Sequence, residues 1–494
     1  MNVLLVDPPS ASGDVLETEG RNKLTTPNMG LMYIGTYIRN KEKINVRIID
    51  PQLFDFREEN ILELLNDFKP QLVGISSKTF NVEGAYAFAS LVKRQSSSTT
   101  VAVGGAHPTA LPNQVLLECE NIDIVVIREG EITFAEVCKM LSSSNASEHS
   151  PEVLFSNIPG IAWRNKYGEV LINRERELIA DLDTLPFPDL SLIDYKKYAR
   201  VYNPVKHVFQ YVYPVFGSRG CPFNCSFCMP LLTRKHRVRS IENIIEEVSI
   251  LYRRYGARRI YFEDSLFCTS EKWFGKFCDE YKKAGLHEKV QWGFETRIDT
   301  VNFHLFKLAV NSGCIYTFFG VESGNEEVLR KNNKKYKRDD IIRKINDAKN
   351  AGIKQVNISL IIGLPYETKE TVEETISLLK ILPCDGAGIN ILDIYPATEA
   401  AEMLKNGRGG FRWDRGREMP WDNLSRSEVT IEVNDLKKAD LLEIRERALR
   451  IMAGKRKRKK MDRIYKIIAY SNELLRENPT LFFKYAKDTI IGRK

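Results

Sequence analysis

The feature that most constrains this chain is a group of three cysteines within eight residues. Cys221, Cys225 and Cys228 form a CxxxCxxC motif directly after the apolar run at 211–216. Thiolates this close together on one loop can face a single metal cluster. A [4Fe–4S] cluster is held by cysteine thiolates and normally takes four, so three ligands leave one iron open to a small molecule.

Two other uses of clustered cysteines fit less well. A structural zinc site usually combines two separated Cys/His pairs, and the nearest further candidates, His236 and Cys268, stand at no usual spacing. A disulfide framework belongs to small secreted domains, whereas this chain has 9 cysteines in 494 residues. An iron–sulfur cluster is therefore the preferred interpretation, with zinc as the alternative.

The motif resembles that of the radical S-adenosylmethionine (SAM) enzymes, including the aromatic residue before the last cysteine, Phe227. In that family the open iron binds the amino and carboxylate groups of SAM. The resemblance implies that Cys221, Cys225 and Cys228 hold a [4Fe–4S] cluster that cleaves SAM.

Length and composition predict a protein of several domains. A chain of 494 residues suggests about two to four of them, and 43% hydrophobic with 28% charged residues is typical of globular proteins. No apolar stretch approaches the ~18 to 20 residues that span a bilayer, and the first residues lack the basic start of a signal peptide. The cysteines, which look unpaired, then fit a reducing cytoplasm, which is the expected location.

The net charge of +8 comes from the end of the chain. Residues 451–494 contain 13 Lys/Arg and 4 Asp/Glu, a net charge of +9, so the rest of the chain sums to −1. A basic run such as 455–460 is most often a solvated helix face, and peripheral binding to an anionic membrane surface is the alternative. Nucleic acid is not expected as a partner.

Five short apolar runs in residues 1–141 predict buried parallel strands. They lie at 3–6, 46–49, 72–75, 101–103 and 124–127, with helical stretches between them at 31–39, 61–68 and 85–93. This alternation predicts a doubly wound, Rossmann-like α/β domain. Its ligand is expected beyond the carboxyl ends of the strands.

The loops after these strands resemble the cobalamin-binding domain that precedes one class of radical SAM enzymes, above all at 103–112 and 126–131. The D-x-H-x-x-G motif, whose histidine ligates cobalt in methionine synthase and the mutases, is absent around His107. We therefore expect cobalamin without a lower histidine ligand, and a packing role for His107 fits equally well. The cobalamin-binding residues implied by the resemblance are Ser76, Ser77, Gly104, Gly105, His107, Thr109, Glu129, Gly130 and Glu131.

The rest of the chain predicts a connector, a barrel and a helical end. Residues 142–205 combine a polar break, a β-hairpin near 160–173 and two prolines at 181–189. Residues 206–400 repeat a strand–helix unit six times, which predicts a partial (β/α)6 barrel with its chemistry at the carboxyl ends of the strands. Residues 401–494 are expected to be mostly helical, with an aromatic and basic segment at 411–421 that covers the barrel, touches substrate or simply packs. The predicted barrel strands are 213–217, 259–262, 290–294, 315–319, 356–362 and 389–394.

Polar residues recur at the ends of the barrel strands, as a ligand with an amino acid, a ribose and an adenine would require. An isolated acidic residue there is more often a cap or a solvated charge, and Arg297 could pair with Glu295 or Glu322. Their order behind the cysteine motif favours the functional interpretation. The SAM-binding residues implied by resemblance to the family are Phe227, Glu263, Asp264, Ser265, Glu295, Arg297, Glu322, Gly363 and Tyr395.

The resemblance implies three cofactors, namely a [4Fe–4S] cluster, SAM and cobalamin, and an external electron donor of the flavodoxin or ferredoxin type. The cluster would cleave SAM to a 5′-deoxyadenosyl radical, and methylcobalamin would supply a methyl group to the substrate radical. The preferred function is C-methylation of an unactivated carbon in a small or lipid-like metabolite.

Three rival functions stay open. The same architecture serves oxidative cyclisation, as on magnesium protoporphyrin monomethyl ester, and other rearrangements without net methyl transfer. RNA modification is less favoured, because methylthiotransferases usually carry three cysteines in the N-terminal domain, where this chain has only Cys119 and Cys138. A non-enzymatic metal-binding module is the third.

Overall fold

The computed structural model describes residues 1–12, 15–16, 24–42, 44–143, 150–229, 233–268, 270–412 and 431–458. Most of the aromatic segment at 411–421 and of the basic tail lies outside the described residues. The strands are β1 (Asn2–Val6), β2 (Ala11–Ser12), β3 (Val15–Leu16), β4 (Asn45–Ile49), β5 (Leu72–Ser76), β6 (Thr100–Gly104), β7 (Ile124–Val126), β8 (Ile161–Arg164), β9 (Val170–Ile172), β10 (Val201–Asn203), β11 (Val208–Gln210), β12 (Tyr213–Val215), β13 (Ser218–Arg219), β14 (Arg237–Val238), β15 (Ile260–Phe262), β16 (Trp292–Arg297), β17 (Cys314–Glu322), β18 (Gln355–Ile362), β19 (Gly386–Ile391), β20 (Phe411–Arg412) and β21 (Glu432–Val433). The helices are α1 (Met29–Glu42), α2 (Glu58–Phe68), α3 (Val82–Gln95), α4 (Ala106–Ala110), α5 (Pro112–Glu118), α6 (Gly130–Leu141), α7 (Pro151–Phe155), α8 (Ile241–Tyr255), α9 (Glu271–Lys283), α10 (Phe303–Asn311), α11 (Glu326–Lys331), α12 (Arg338–Ala351), α13 (Lys369–Ile381), α14 (Glu399–Lys405) and α15 (Lys438–Arg458).

The first sheet has seven strands in the order β4-β1-β5-β6-β7-β8-β9, and the first five are parallel. These five coincide with the five predicted apolar runs. Alternate residues of β1 face opposite sides, with Leu5 in one core and Leu4 in the other. Both faces are thus covered, as a parallel sheet requires, and the order β4-β1-β5-β6-β7 is that of a doubly wound fold with its ligand crevice between β1 and β5.

The hairpin predicted within the connector is part of this sheet. Its strands β8 and β9 pair antiparallel with each other, and β8 pairs antiparallel with β7. Trp163 on β8 is buried and donates from Nε1 to Asn173 Oδ1 at 2.9 Å. The division of the chain at 141, 205 and 400 stays a proposal, with the hairpin packed on the first domain.

The second sheet is six-stranded and parallel, in the order β12-β15-β16-β17-β18-β19. Each strand matches a predicted one, and helices follow in the βα order that gives a partial (β/α)6 barrel. Polar caps begin the helices: Ser240 accepts from the N–H of Asn243 at the start of α8, and Ser270 accepts from that of Trp273 at the start of α9. The predicted fold is confirmed over the described residues, including helices α14 and α15 after the barrel.

No helix in the described part of the chain is both long enough and apolar enough to cross a membrane.

Candidate active site

One cavity of about 840 Å³ lies between the carboxyl ends of the two sheets. Its walls come from both domains, because the strands of each sheet end at the same space. The first domain contributes strand-end residues such as Ser76, Gly104 and Gly105, and the barrel contributes the three motif cysteines. Residues from both predicted cofactor sets therefore meet in one chamber.

The cysteines stand on a loop whose base is a short antiparallel ladder between β13 and β14. Gly220 enters the loop at φ +85°, and a Cβ there would come within 2.4 Å of the Lys235 carbonyl oxygen, so only glycine fits. The N–H of Cys221 donates to Thr233 O at 3.2 Å, and the N–H of Cys228 donates to Cys225 O at 3.1 Å. All three cysteines of this loop line the cavity.

An arginine reaches the middle cysteine. Arg297, at the end of β16, donates from Nη1 to the sulfur of Cys225 at 3.3 Å and lies 3.7 Å above the ring of Phe223. Its other nitrogens donate to both oxygens of Asp299 at 2.9 and 2.8 Å, so its partner is neither Glu295 nor Glu322. Burial alone would lower the pKa of this guanidinium, but Asp299 raises it, and the side chain stays a fixed cation beside the cluster loop.

A buried lysine meets the acidic residue at the end of β17. Lys334 donates from Nζ to Glu322 Oε1 at 2.8 Å and to Gly320 O at 2.9 Å. Burial opposes the charge on Lys334, yet Glu322 raises the pKa above its ordinary value. Glu322 itself adopts φ +68°, which is unusual outside glycine, and its Oε2 is buried with no hydrogen-bond partner among the described atoms. That oxygen is available to a ligand in the cavity.

Two further carboxylates line the cavity at the ends of β15 and β16. Burial raises the pKa of Glu263 to about 7, which the side chain of Thr26 partly offsets by a hydrogen bond. Burial also raises the pKa of Glu295, whose Oε1 accepts a hydrogen bond from the Tyr261 hydroxyl at 2.8 Å. Ser265 lines the cavity beside them. This wall can carry a proton or accept hydrogen bonds near neutral pH.

Three of the predicted SAM-binding residues do not line the cavity. Asp264 is fully buried and accepts from the N–H of Gly217 at 3.0 Å and from the Ser218 hydroxyl, which ties β15 to the start of the cluster loop. Gly363 turns at φ +86° with its N–H bonded to Glu367, and Tyr395 packs with Phe227 against an apolar cluster below the loop. Phe227 also lines the cavity.

The predicted cobalamin-binding residues divide in the same way. Ser76, Gly104, Gly105, Glu129, Gly130 and Glu131 line the cavity, whereas Ser77, His107 and Thr109 do not. The N–H of Ser77 bonds to Gly104 O at 2.7 Å, and Thr109 Oγ1 accepts from the N–H of Arg128 at 3.0 Å. His107 is buried with Nδ1 3.3 Å from Thr79 Oγ1, and burial lowers its pKa to about 4. These three support the loops from behind.

The acidic pair Glu129 and Glu131 is engaged with two arginines of the barrel domain. Arg219 donates to Glu129 Oε1 at 3.0 Å and to Glu131 Oε1 at 2.6 Å, and Arg237 donates to Glu129 Oε2 at 2.9 Å. Their hydrogen-bonding capacity toward a ligand is therefore largely used.

Sequence reasoning missed Lys334, Tyr261, Asp299 and the two arginines. Asp299 stands two residues after Arg297, a local spacing that could have revealed it. Lys334 lies in a polar Asn- and Lys-rich turn, where nothing in the sequence distinguishes it from exposed neighbours. Tyr261 alternates with buried residues of β15, and its orientation toward Glu295 depends on the neighbouring strand.

The residues present fit the groups that the motifs imply. Three cysteines of one loop line the cavity wall, with an arginine N–H directed at one of the sulfurs. Among the described residues no three His, Cys, Asp or Glu side chains converge as they would on a single metal ion. On the other wall, small residues at the ends of β5 and β6 leave room for a bulky planar ligand.

Two domain families match the chain, and each matched range includes the residues that form one wall of the cavity. Residues 21–138 match the B12 binding domain, and residues 215–379 match the Radical SAM superfamily.

The chain is 33% identical to an uncharacterized methyltransferase of Pyrococcus horikoshii over 406 residues, which covers 81% of this chain and 83% of the relative. It is 28% identical to the anaerobic magnesium-protoporphyrin IX monomethyl ester cyclase of Rubrivivax gelatinosus, covering 82% of this chain and 70% of that protein. Among solved structures it resembles the radical SAM methyltransferase TsrM of Kitasatospora setae, solved with cobalamin and a [4Fe–4S] cluster, at 17% identity and a TM-score of 0.67 over 85% of this chain and 81% of that one.

Fold and site together define a radical SAM enzyme with a cobalamin-binding domain in front of its barrel. The chain belongs to the cobalamin-dependent radical SAM family of methyltransferase-like enzymes. The predicted cofactors, a [4Fe–4S] cluster, SAM and cobalamin, are confirmed at the level of this family.

Proposed function

We propose that this protein methylates an unactivated carbon of a small or lipid-like metabolite. The observation that carries the proposal is a shared cavity of about 840 Å³, which has the motif cysteines on one wall and the strand ends of the B12-binding domain on the other. When bound, the three cofactors supply a radical at the cluster side and a methyl group at the corrin side. A substrate in this chamber would face both.

The chain's own residues are proposed to hold the cofactors as follows. Cys221, Cys225 and Cys228 hold the cluster. Glu322 presents its free Oε2 to a hydroxyl or ammonium donor of SAM, while Lys334 holds its other oxygen in place. Arg297 keeps one N–H on Cys225 and shields that sulfur from water with the ring of Phe223.

The cobalamin wall is proposed to work by shape. Ser76, Gly104, Gly105 and Gly130 line it with little side-chain bulk, so a corrin could approach the backbone closely. His107 lies behind this wall, which supports cobalamin without a lower histidine ligand.

Glu263 and Glu295 are proposed to face the substrate or the polar part of SAM. Both are cavity-lining carboxyls whose pKa is raised by burial, Glu263 to about 7. At neutral pH Glu263 can therefore hold or release a proton, and Tyr261 keeps Glu295 oriented. The enzyme also needs a one-electron reductant, for which a flavodoxin or ferredoxin is the expected donor.

The test uses protein reconstituted anaerobically with iron, sulfide and cobalamin. It is incubated with SAM that carries a labelled methyl group and a small-molecule extract of the cells that make the protein. We expect 5′-deoxyadenosine together with a product that carries the label. Formation of 5′-deoxyadenosine with an unlabelled product would contradict methylation.

Oxidative cyclisation is the second candidate. It is favoured by the 28% identity to the magnesium-protoporphyrin IX monomethyl ester cyclase over 82% of this chain. A product that carries a new ring, is oxidised relative to its substrate and is free of label would support it.

A further inference from the structure

The cluster loop is the tip of a hairpin whose base carries two arginines. In the ladder between β13 and β14, Arg219 stands directly opposite Arg237. Like charges at opposite positions of a ladder repel each other. Negative charges must therefore balance the two arginines, and they come from glutamates of the first domain.

Glu129 bridges the two arginines. Its Oε1 accepts from Arg219 Nη1 at 3.0 Å and from Arg237 Nη2 at 3.0 Å, and its Oε2 accepts from Arg237 Nη1 at 2.9 Å. Glu131 accepts from the remaining arm of Arg219 at 2.6 Å. We call Glu129, Glu131, Arg219 and Arg237 the interdomain ion network.

The network is dry and electrically balanced. The exposed fractions of the four side chains are only 4% and 5% for the glutamates and 10% and 5% for the arginines. Burial alone would raise the pKa of Glu129, but the hydrogen bonds from Arg237 and Arg219 outweigh it and lower that pKa. Two carboxylates thus meet two guanidinium groups, and loss of either carboxylate leaves an uncompensated buried cation.

The network joins the two cofactor walls beside residues that line the cavity. Arg219 is two residues before Cys221, and Gly220 between them has no freedom to take another side chain. On the other side, Glu129 and Glu131 flank Gly130, which lines the cavity at the start of α6. Arg128, just before them, is held at φ +67°. A displacement of this segment is therefore passed directly to the base of the cluster loop.

We propose that Glu129 and Glu131 are positioning residues that fix the cluster loop against the B12-binding domain and thereby couple the binding of the two cofactors. They act through the arginines and do not bind cobalamin themselves. The inference rests on the proposed function in that both cofactors must bind this chain. Because coupling between two sites is reciprocal, the cluster strengthens cobalamin binding by the same factor by which cobalamin stabilises the cluster.

The test compares the dissociation constant of cobalamin in protein with and without the reconstituted cluster. In the wild type we expect the cluster to tighten cobalamin binding at least ~5-fold. In Glu129→Gln, which keeps the shape and removes the charge, this ratio is expected to fall to about 1. Glu247→Gln is the matched control, because Glu247 pairs with Arg239 at comparable burial inside the barrel domain; its ratio should match the wild type.

A second readout reports geometry without turnover. Pulsed electron paramagnetic resonance on protein that holds cob(II)alamin and the reduced cluster measures the distance between the two centres. A single narrow distance is expected in the wild type and in Glu247→Gln, and a broadened one in Glu129→Gln. If Glu129→Gln does not fold, Glu131→Gln removes only the outer arm, and the same broadening is expected from it.

The outcomes separate the two proposals. Wild-type protein that takes up no cobalamin or no cluster overturns the proposed function. Wild-type protein that takes up both, with an unchanged binding ratio and distance in the glutamate variants, overturns the coupling alone.

Discussion

The two walls of the cavity are built by opposite means. The barrel wall uses charged and polar side chains in fixed pairs, such as Lys334 with Glu322 and Arg297 with Asp299. The wall from the first domain uses small residues at the ends of β5 and β6, and the hydrogen bonds of its two glutamates, Glu129 and Glu131, go to arginines of the barrel domain. SAM carries charge and many hydrogen-bonding groups, whereas a corrin is a large macrocycle that requires a wall without bulky side chains. We therefore expect substitutions that remove a charge or a hydrogen-bonding group to damage the barrel wall. Substitutions that add side-chain volume should damage the wall of the first domain.

The largest effect is expected at the cluster loop. Cys225→Ala removes one of only three thiolates, and we expect SAM cleavage to fall below ~1% of wild type. The measurement is 5′-deoxyadenosine formed after reduction, together with iron content. Cys278→Ala, a buried cysteine in α9, should retain the activity. SAM cleavage by the Cys225 variant would remove the basis of the cluster assignment.

Breaking the buried ion pair of the barrel wall should cost stability. Lys334→Met leaves Glu322 without its cation, and loss of one partner of a buried pair costs about 4 kcal/mol. Chemical unfolding measures the loss, and the affinity for SAM should fall with it. Lys349→Met is the comparison, because its pair with Asp385 lies at the start of β18 and is more exposed, at 26% and 12%, than the Lys334 pair at 4% and 8%. Equal losses of unfolding free energy in the two variants would mean that the Lys334–Glu322 pair stabilises the protein no more than an ordinary, more exposed pair.

The pH dependence of stability should reveal Asp264. Burial raises its folded-state pKa to about 7 from an ordinary 3.8, against the hydrogen bonds from Ser218 and Gly217. The carboxyl of Asp264 therefore holds its proton more tightly in the folded than in the unfolded state. Its contribution to the free energy of unfolding is fully present below pH 4 and is lost as the pH rises through 7. The expected slope reaches ~1.4 kcal/mol per pH unit.

Unfolding midpoints at several pH values between 4 and 7 measure this slope for the wild type and Asp264→Asn. The variant should lack the contribution. An identical slope in both proteins would assign the titration to another group.

The smallest effect tests the shape-based wall. Gly104→Leu places a branched side chain in the cavity, and we expect cobalamin binding to weaken about tenfold, or ~1.4 kcal/mol, with SAM cleavage unchanged. Gly104→Ala is the control, because a Cβ there would lie at an ordinary 3.5 Å from Val126. Equal weakening by alanine and leucine would argue against a steric effect.

The sequence predicted the strands and the cysteine loop well, because both depend on local patterns. Apolar runs of β-branched residues fix the parallel strands, and CxxxCxxC fixes the loop after the first barrel strand. Polar residues at strand ends were harder, since neighbours on a strand face opposite sides. Glu263 lines the cavity while Asp264 points into the core, and nothing in the order of the two letters separates them.

The site residues that the sequence did not reveal depend on partners that are distant in the sequence. Glu129 lies 108 residues from Arg237 in sequence, so the sequence alone gave no reason to remove it from the predicted cobalamin ligands. The same holds for Lys334, whose identity as a buried cation depends on Glu322 of another element. Composition marked the chain as basic, yet the cations at the site are paired with carboxylates of the barrel or the first domain, and Arg219 and Arg237 share Glu129.

The arginine pair at the base of the cluster loop also bears on how the protein can be divided. A fragment that begins at residue 206 would contain the whole six-stranded sheet and the cysteine motif, but it would face water with Arg219 and Arg237 side by side and without Glu129. Such a fragment should splay its hairpin and lose iron readily, even though every ligand is present. The barrel expressed alone would thus hold less iron than it holds in the intact chain. A fusion of the barrel to a different first domain requires a carboxylate at the position of Glu129.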